Sequence, residues 1–158
     1  MKRLFCAALV VLMLFSGCAA KEHANFYYRR TEYQYDAEDS VIVSERRDIT
    51  GHDGHLPFLI SLYLMGPLEK DYVSPFPSSV KLLTTQTQDN NLTVYLTDCS
   101  SLSDAEYTLA CTCMALTCLE FTNVNTVTVT SAERTITIDP GMLTLYDSGI
   151  PVESTNGG

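Results

Sequence analysis

The sequence predicts an α+β domain of two layers, a mixed sheet of about four to six strands with two helices on one face. Two stretches alternate threonine with β-branched or leucine residues at a period of two, as sheet strands do: Leu92 to Thr97 and Thr126 to Thr130, the latter followed by Thr135 to Ile138. Two other stretches are apolar at helical spacing and carry start or stop chemistry. Read in order, the chain runs strand, strand, helix, strand, strand, helix, strand, strand.

The opening residues form a separate segment. Lys2 and Arg3 precede an unbroken apolar run from Leu4 to Phe15, and Ser16 and Gly17 precede Cys18. The run has the length of a signal-peptide core and falls short of the roughly 20 residues a membrane-spanning helix needs. Leu14-Phe15-Ser16-Gly17-Cys18 resembles a bacterial lipoprotein lipobox. That resemblance implies cleavage after residue 17, a thioether-linked diacylglycerol on Cys18, and attachment to the extracytoplasmic face of the cell membrane. The alternative is an uncleaved N-terminal anchor with an incidental cysteine, and both place the domain outside the cytoplasm. Residues 18–25 then read as a polar tether and residues 26–146 as the domain.

Phe26 to Arg30 reads as a short strand, and Val41-Ile42-Val43 as a strand buried on both faces. Gly51 to Gly54 breaks the chain. Leu56, Leu59, Ile60 and Tyr63 fall at helical spacing, Pro57 sits in the first turn, and Gly66-Pro67 stops the helix. Lys70 to Ser79, with Pro75 and Pro77, reads as a loop. Val80 to Thr87 and Leu92 to Thr97 form a hairpin around Asp89-Asn90-Asn91. Ser103 and Glu106 form a capping box, and the helix it starts runs to about Phe121. Tyr107, Cys111, Met114 and Cys118 share one side of it, and Glu106, Ala110, Thr117 and Glu120 make its only solvent-like strip. A helix this apolar must be mostly covered. Ser131 to Arg134 turns between the last two strands, and residues 147–158 read as a frayed tail.

Three of these stretches together resemble the GerMN domain, a module of bacterial sporulation and spore-germination proteins. They are the apolar helix ending in Leu64-Met65-Gly66-Pro67, the loop Phe76-Pro77-Ser78-Ser79-Val80 entering a strand with Leu92 to Leu96 as its partner, and the passage from Ala115-Leu116-Thr117 through Phe121 and Val124 to Val127 and Val129. The likeness covers about residues 25–138, and Gly66, Pro67 and Pro77 carry its structural motif. The final turn, without the glycine usual in the family, departs from the pattern. The resemblance implies a non-enzymatic envelope module that works by protein association.

The chemistry-bearing residues point the same way. A net charge of −9 from 10 basic and 19 acidic residues, with three histidines, excludes general binding to phosphate backbones, so no nucleic-acid partner is expected. No phosphate-binding glycine loop, nucleophile elbow or zinc-protease motif is present, so neither a catalytic set nor a cofactor is expected. Cys99, Cys111, Cys113 and Cys118 read as buried thiols; one disulfide to Cys99, or metal or redox chemistry, are the lesser readings. His52-Asp53-Gly54-His55 reads as a polar loop at a helix mouth rather than a metal site, and Arg29-Arg30 and Arg46-Arg47 as solvated strand ends. Thr93, Tyr95 and Thr97 form the candidate contact surface for other envelope proteins or a second copy. A lipoprotein presenting a ligand or cell-wall fragment is the alternative.

Overall fold

A computed structural model describes residues 23–32, 40–52 and 54–142. The leader, Cys18, Asp53 and the 147–158 segment lie outside the described residues. The elements are β1 (His23–Arg30), β2 (Ile42–Asp48), α1 (Leu56–Leu64), β3 (Tyr72–Val73), β4 (Leu82–Gln88), β5 (Asn91–Leu96), α2 (Asp104–Phe121), β6 (Thr126–Ser131), β7 (Arg134–Ile138) and a short 3₁₀ turn at Pro140–Met142. Among these, no helix is long and apolar enough to cross a membrane.

The α+β class stands, with the strands divided between two sheets instead of joined in one. The first has the order β2-β1-β3, all antiparallel, and the second β4-β5-β6-β7. In the second sheet β4 and β5 are antiparallel, β5 and β6 parallel, and β6 and β7 antiparallel. The parallel pair brackets α2, which supplies the crossover that parallel neighbours require. β1 opens at His23, ahead of the expected Phe26, because His23 to Asn25 already pair with Arg46 to Asp48. β3 lies inside the expected Lys70 to Ser79 loop and is only Tyr72 and Val73.

Local chemistry sets the turns. Asp89 and Asn90 connect β4 to β5 with φ of 49° and 64°, the left-handed conformation that a two-residue hairpin turn favours. Between β6 and β7 the turn closes without a glycine: Ala132 takes φ 49°, and Ser131 pairs with Arg134 across it. Gly66, at φ 99°, ends α1 as its spacing anticipated, with its N–H on the Tyr63 carbonyl at 3.0 Å. The Ser103 capping box forms: the Glu106 N–H reaches Ser103 Oγ at 3.4 Å, and the Ser103 N–H reaches Glu106 Oε2 at 2.9 Å.

The helix α2 sits between the sheets. Its Tyr107, Cys111, Met114 and Cys118 are fully or almost fully buried, as their shared side requires. The opposite strip is solvated only in part: Glu106 is exposed and Glu120 half-buried. Ala110 and Thr117 are buried too, because β1 lies against that side. The reason is a hydrogen-bonding need. The β1 amides of Asn25 and Tyr27 point away from β2, and β3 reaches only Arg29 and Arg30. Thr117 Oγ1 accepts the Tyr27 N–H at 2.9 Å while donating to the Cys113 carbonyl at 2.8 Å, and Glu120 Oε2 accepts the Asn25 N–H at 3.5 Å. Helix side chains thereby cover a sheet edge that would otherwise leave polar groups unpaired.

Replacing Thr117 with valine keeps the shape and removes the acceptor. Thr117→Val is expected to lower unfolding free energy by about 1–3 kcal/mol and to speed hydrogen exchange at the Tyr27 amide. Urea unfolding and amide exchange measure both; a variant as stable as the parent would show that this edge needs no acceptor.

Candidate functional site

Two surfaces and one internal clamp carry the residues of interest. Strand alternation places Leu92, Val94, Val127, Val129 and Ile138 inward, all buried. The register then sets the opposite face: Thr84, Gln86 and Gln88 of β4, Asn91, Thr93 and Tyr95 of β5, Thr126, Thr128 and Thr130 of β6, and Thr135 and Thr137 of β7. No charged side chain interrupts it. The face is ordered by its own hydrogen bonds. Asn91 Oδ1 accepts from Thr126 Oγ1 at 2.7 Å and Thr128 Oγ1 at 3.1 Å, and Asn91 Nδ2 donates to Thr93 Oγ1 at 3.2 Å. Thr128 and Thr137 hydroxyls lie 2.9 Å apart, and those of Thr130 and Thr135 3.2 Å.

Thr93 and Tyr95 therefore belong to a broader uncharged array than the alternation of one strand indicated. Thr97 differs from them. It follows β5, and its hydroxyl accepts the Lys81 N–H at 2.9 Å while its carbonyl accepts Ser131 Oγ at 2.7 Å. Thr97 thus ties β4 and β6 to β5.

The clamp lies under the Gly66-Pro67 turn. Glu45 and Arg47 point to the same side of β2, two residues apart, and each is only 6% exposed. The Glu45 carboxylate pairs with Arg47 Nε, and its other oxygen accepts the Leu68 and Glu69 N–H groups, both at 2.9 Å. Arg47 Nη2 donates to the Gly66 carbonyl at 2.7 Å, and Tyr28 donates its hydroxyl to the same carbonyl at 3.3 Å. The Arg47 guanidinium also lies over the Phe26 and Tyr28 rings, 4.9 Å and 5.4 Å from their centroids. Arg47 is thus not a solvated strand end, although Arg46 is exposed. The dipeptide reading fails because adjacent strand residues face opposite ways. The signal in the sequence was Glu45-x-Arg47, opposite charges on one face of a strand whose other face, Ser44, Arg46 and Asp48, is polar as well. This clamp fixes Gly66 and Pro67 while leaving Met65 and Leu68 beside them 83% and 80% exposed.

Pro77 lies in a second feature. A cleft of about 150 Å³ is lined by Arg29, Ser74, Pro75, Phe76, Pro77, Leu102, Glu106 and Leu109. The Pro77 carbonyl accepts the Val80 N–H at 3.0 Å, and the Ser74 hydroxyl closes onto the Phe76 carbonyl at 2.9 Å.

Cys99, Cys111, Cys113 and Cys118 are all buried, with no disulfide among the described residues. Burial pushes the Cys111, Cys113 and Cys118 thiols up to about 12, so thiolate chemistry at neutral pH is suppressed there. His52 and His55 are exposed at the mouth of α1, and the His52 ring stacks on Phe58 with centroids 4.3 Å apart. No grouping of three or more His, Cys, Asp or Glu side chains among the described residues could hold a metal ion.

A family model described as Germane, sporulation and spore germination, matches residues 25–137. Among solved structures, the tandem GerMN domains of the sporulation protein GerM from Bacillus subtilis align with a TM-score of 0.52 at 21% identity, over 75% of this chain and 42% of that one. The chain thus spans less than half the length of that relative, and the likeness is one of fold. A Clostridium perfringens protein described provisionally as a lipoprotein aligns with a TM-score of 0.44 at 16% identity, over 73% of this chain and 77% of that one. Comparison with curated proteins gives no match.

The clamp has a pH signature. Burial alone would raise the Glu45 carboxyl, but the Glu69 N–H, the Arg47 side chain and the Leu68 N–H outweigh it and hold the group below its ordinary 4.5. A depressed folded value means the contribution to stability is complete above the unfolded value and is lost as pH falls through the folded one. Glu45→Gln leaves Arg47 buried without its counter-charge, and the expected loss near neutral pH is about 3–5 kcal/mol. Urea unfolding over a descending pH series should show the parent and variant converging in acid; parallel curves would remove Glu45 from the acid response.

Proposed function

The chain belongs to the Germane (GerMN) family of sporulation and spore-germination domains, and from that premise we propose that it is a lipid-anchored, extracytoplasmic assembly component of the cell envelope. It carries out no reaction of its own and holds partners by surface contact. The observation that carries this reading is the outer face of the second sheet, uncharged across β4, β5, β6 and β7 in a chain of net charge −9. Such a face lets another surface approach without desolvating an ion. Thr93 and Tyr95 lie on β5, an interior strand of that sheet, and make the core of the contact.

The anchor is proposed on Cys18. Because β1 begins at His23, at most about 18 Å of extended chain separates that cysteine from the sheet. The domain would stand close to the bilayer, held by two acyl chains, which anchor where one barely does. The alternative role is presentation of a cell-wall fragment; the cleft lined by Pro77 offers it little room, since about 150 Å³ is below the roughly 300–1,000 Å³ typical of drug-sized ligand sites.

One set of cells tests both parts. Labelled palmitate should enter the parent chain and not a Cys18→Ala variant, and recovery of unlabelled parent from cytosol would overturn the anchor. In membranes that retain the label, Thr93→Glu combined with Tyr95→Glu should abolish co-purification of partners. Thr97 is left intact because its hydroxyl serves the fold. Undiminished partner recovery would overturn the contact face while leaving the anchor standing.

A further inference from the structure

Four large apolar side chains are exposed among the described residues, and three of them, Phe58, Met65 and Leu68, stand on α1 and the turn that stops it. Phe58, the half-buried Leu62 and Met65 follow one another at steps of four and three residues, which puts them on one stripe of the helix. No charged residue falls between His55 and Glu69. A lone exposed apolar side chain needs no explanation; a stripe of them in a chain of net charge −9 does. The polar groups along the stripe are already paired. Ser61 donates its hydroxyl to the Pro57 carbonyl at 2.8 Å. The Gly66 carbonyl is taken by Arg47 and Tyr28, the Leu68 and Glu69 N–H groups by Glu45, and Pro67 has no N–H. Unpaired backbone groups keep a turn in water, and the buried clamp removes that obstacle to a dry contact.

The chain ahead of β1 selects what covers the stripe. His23 pairs with Asp48, the chain then turns where the His52 N–H reaches the Ile49 carbonyl at 2.9 Å, and the His52 ring stacks on Phe58. The first turn of α1 therefore lies beside the start of β1, and with an anchor on Cys18 at most about 18 Å of chain joins that point to the bilayer. We infer that α1 lies along the bilayer surface that holds the acyl chains, with Phe58, Met65 and Leu68 in the lipid interface. Nine residues make a helix roughly 14 Å long, too short to cross a membrane but sufficient to lie on one, which takes a single apolar side. The exposed His52 and His55 at one end and Glu69 and Lys70 at the other form the polar limits of the stripe. This seating rests on the proposed anchor: the acyl chains hold the domain, and the stripe fixes which side meets lipid. It uses none of the residues of the neutral outer sheet face.

The chain contains no tryptophan, so a single introduced one reports its own surroundings. The test places palmitate-labelled chain, purified from cells, in vesicles of phosphatidylethanolamine and phosphatidylglycerol whose acyl chains are plain or brominated. Met65→Trp is expected to emit at shorter wavelength than Gln86→Trp, which stands on the outer sheet face, and to be quenched by the brominated lipid while Gln86→Trp is not. Adding Phe58→Glu and Leu68→Glu to the Met65→Trp chain should lower the lipid-seated fraction roughly tenfold or more and leave the palmitate label in place. Both positions are exposed, and glutamate suits the first turn of a helix, so the fold tolerates the pair. An unquenched Met65→Trp in a labelled chain would overturn the seating and leave the anchor standing. A shift to shorter wavelength without quenching would assign the stripe to a protein contact, a second copy included, and would overturn the seating equally. Quenching that survives both glutamates would remove the stripe as the contact. A parent chain without label would overturn the anchor and the seating together.

Discussion

The structure depends on the enclosure of α2 between two sheets. One side of the helix packs on β6 and β7, where the Tyr107 hydroxyl lies 3.4 Å from the Val129 carbonyl and 3.2 Å from that of Arg134. The Arg134 guanidinium covers the Tyr107 ring at 4.0 Å and donates to the Leu102 carbonyl at 2.9 Å, tying the hairpin end to the start of the helix. The other side meets β1, where Thr117 and Glu120 take backbone N–H groups and the Phe26 and Phe121 rings meet edge to face at 5.3 Å. Ala110, Cys111, Cys113, Ala115 and Cys118 are small, which lets both sheets approach the helix axis. Cysteine in these places acts as a compact apolar side chain, and its burial disfavours the reactive thiolate.

Much of this was legible where one physical signal dominated. The period-two alternation of β5, β6 and β7, the capping box at Ser103 and the Gly66 stop depend on local geometry, and each appears where local geometry puts it. The division into two sheets was not legible. It follows from α2 being covered on the side that carries Thr117 and Glu120, and a sequence presents these as polar whether they face water or an unpaired strand edge. β2 misled for a related reason. Ile42 and Val43 suggested a strand buried on both faces, yet both are half-buried, and the buried positions that follow are Glu45 and Arg47. Patterning by hydropathy assigns charge to solvent and has no means of seeing that two charges neutralise each other inside.

The candidate surface was partly legible for the converse reason. Thr93 and Tyr95 could be read as outward-facing from their own strand. That β4, β6 and β7 extend the same uncharged face depends on register, which involves residues as distant as Asn91 and Thr126. The resemblance to the GerMN domain marked Gly66, Pro67 and Pro77 without a reason for them. The structure supplies two separate ones. Gly66 and Pro67 sit on a carbonyl and amides seized by a buried ion pair, whereas Pro77 walls a cleft and hands its carbonyl to Val80.

The charge distribution links these features to the way the domain can meet anything else. A body of net charge −9 repels acidic surfaces at long range, but at physiological salt that repulsion fades beyond about 8 Å. Short-range contact then decides association. On the outer face of the second sheet the hydroxyls and amides of Asn91, Thr126, Thr128, Thr130, Thr135 and Thr137 are already paired with one another, so their side chains are held in place before any partner arrives. Pre-ordering of this kind lowers the entropy lost on docking. Thr97 locks the strands beneath that face, and the Glu45–Arg47 pair locks the turn on the other sheet. The buried Glu45–Arg47 pair therefore sets geometry inside the fold, while the broad outer face of the second sheet stays neutral, where close approach is least opposed.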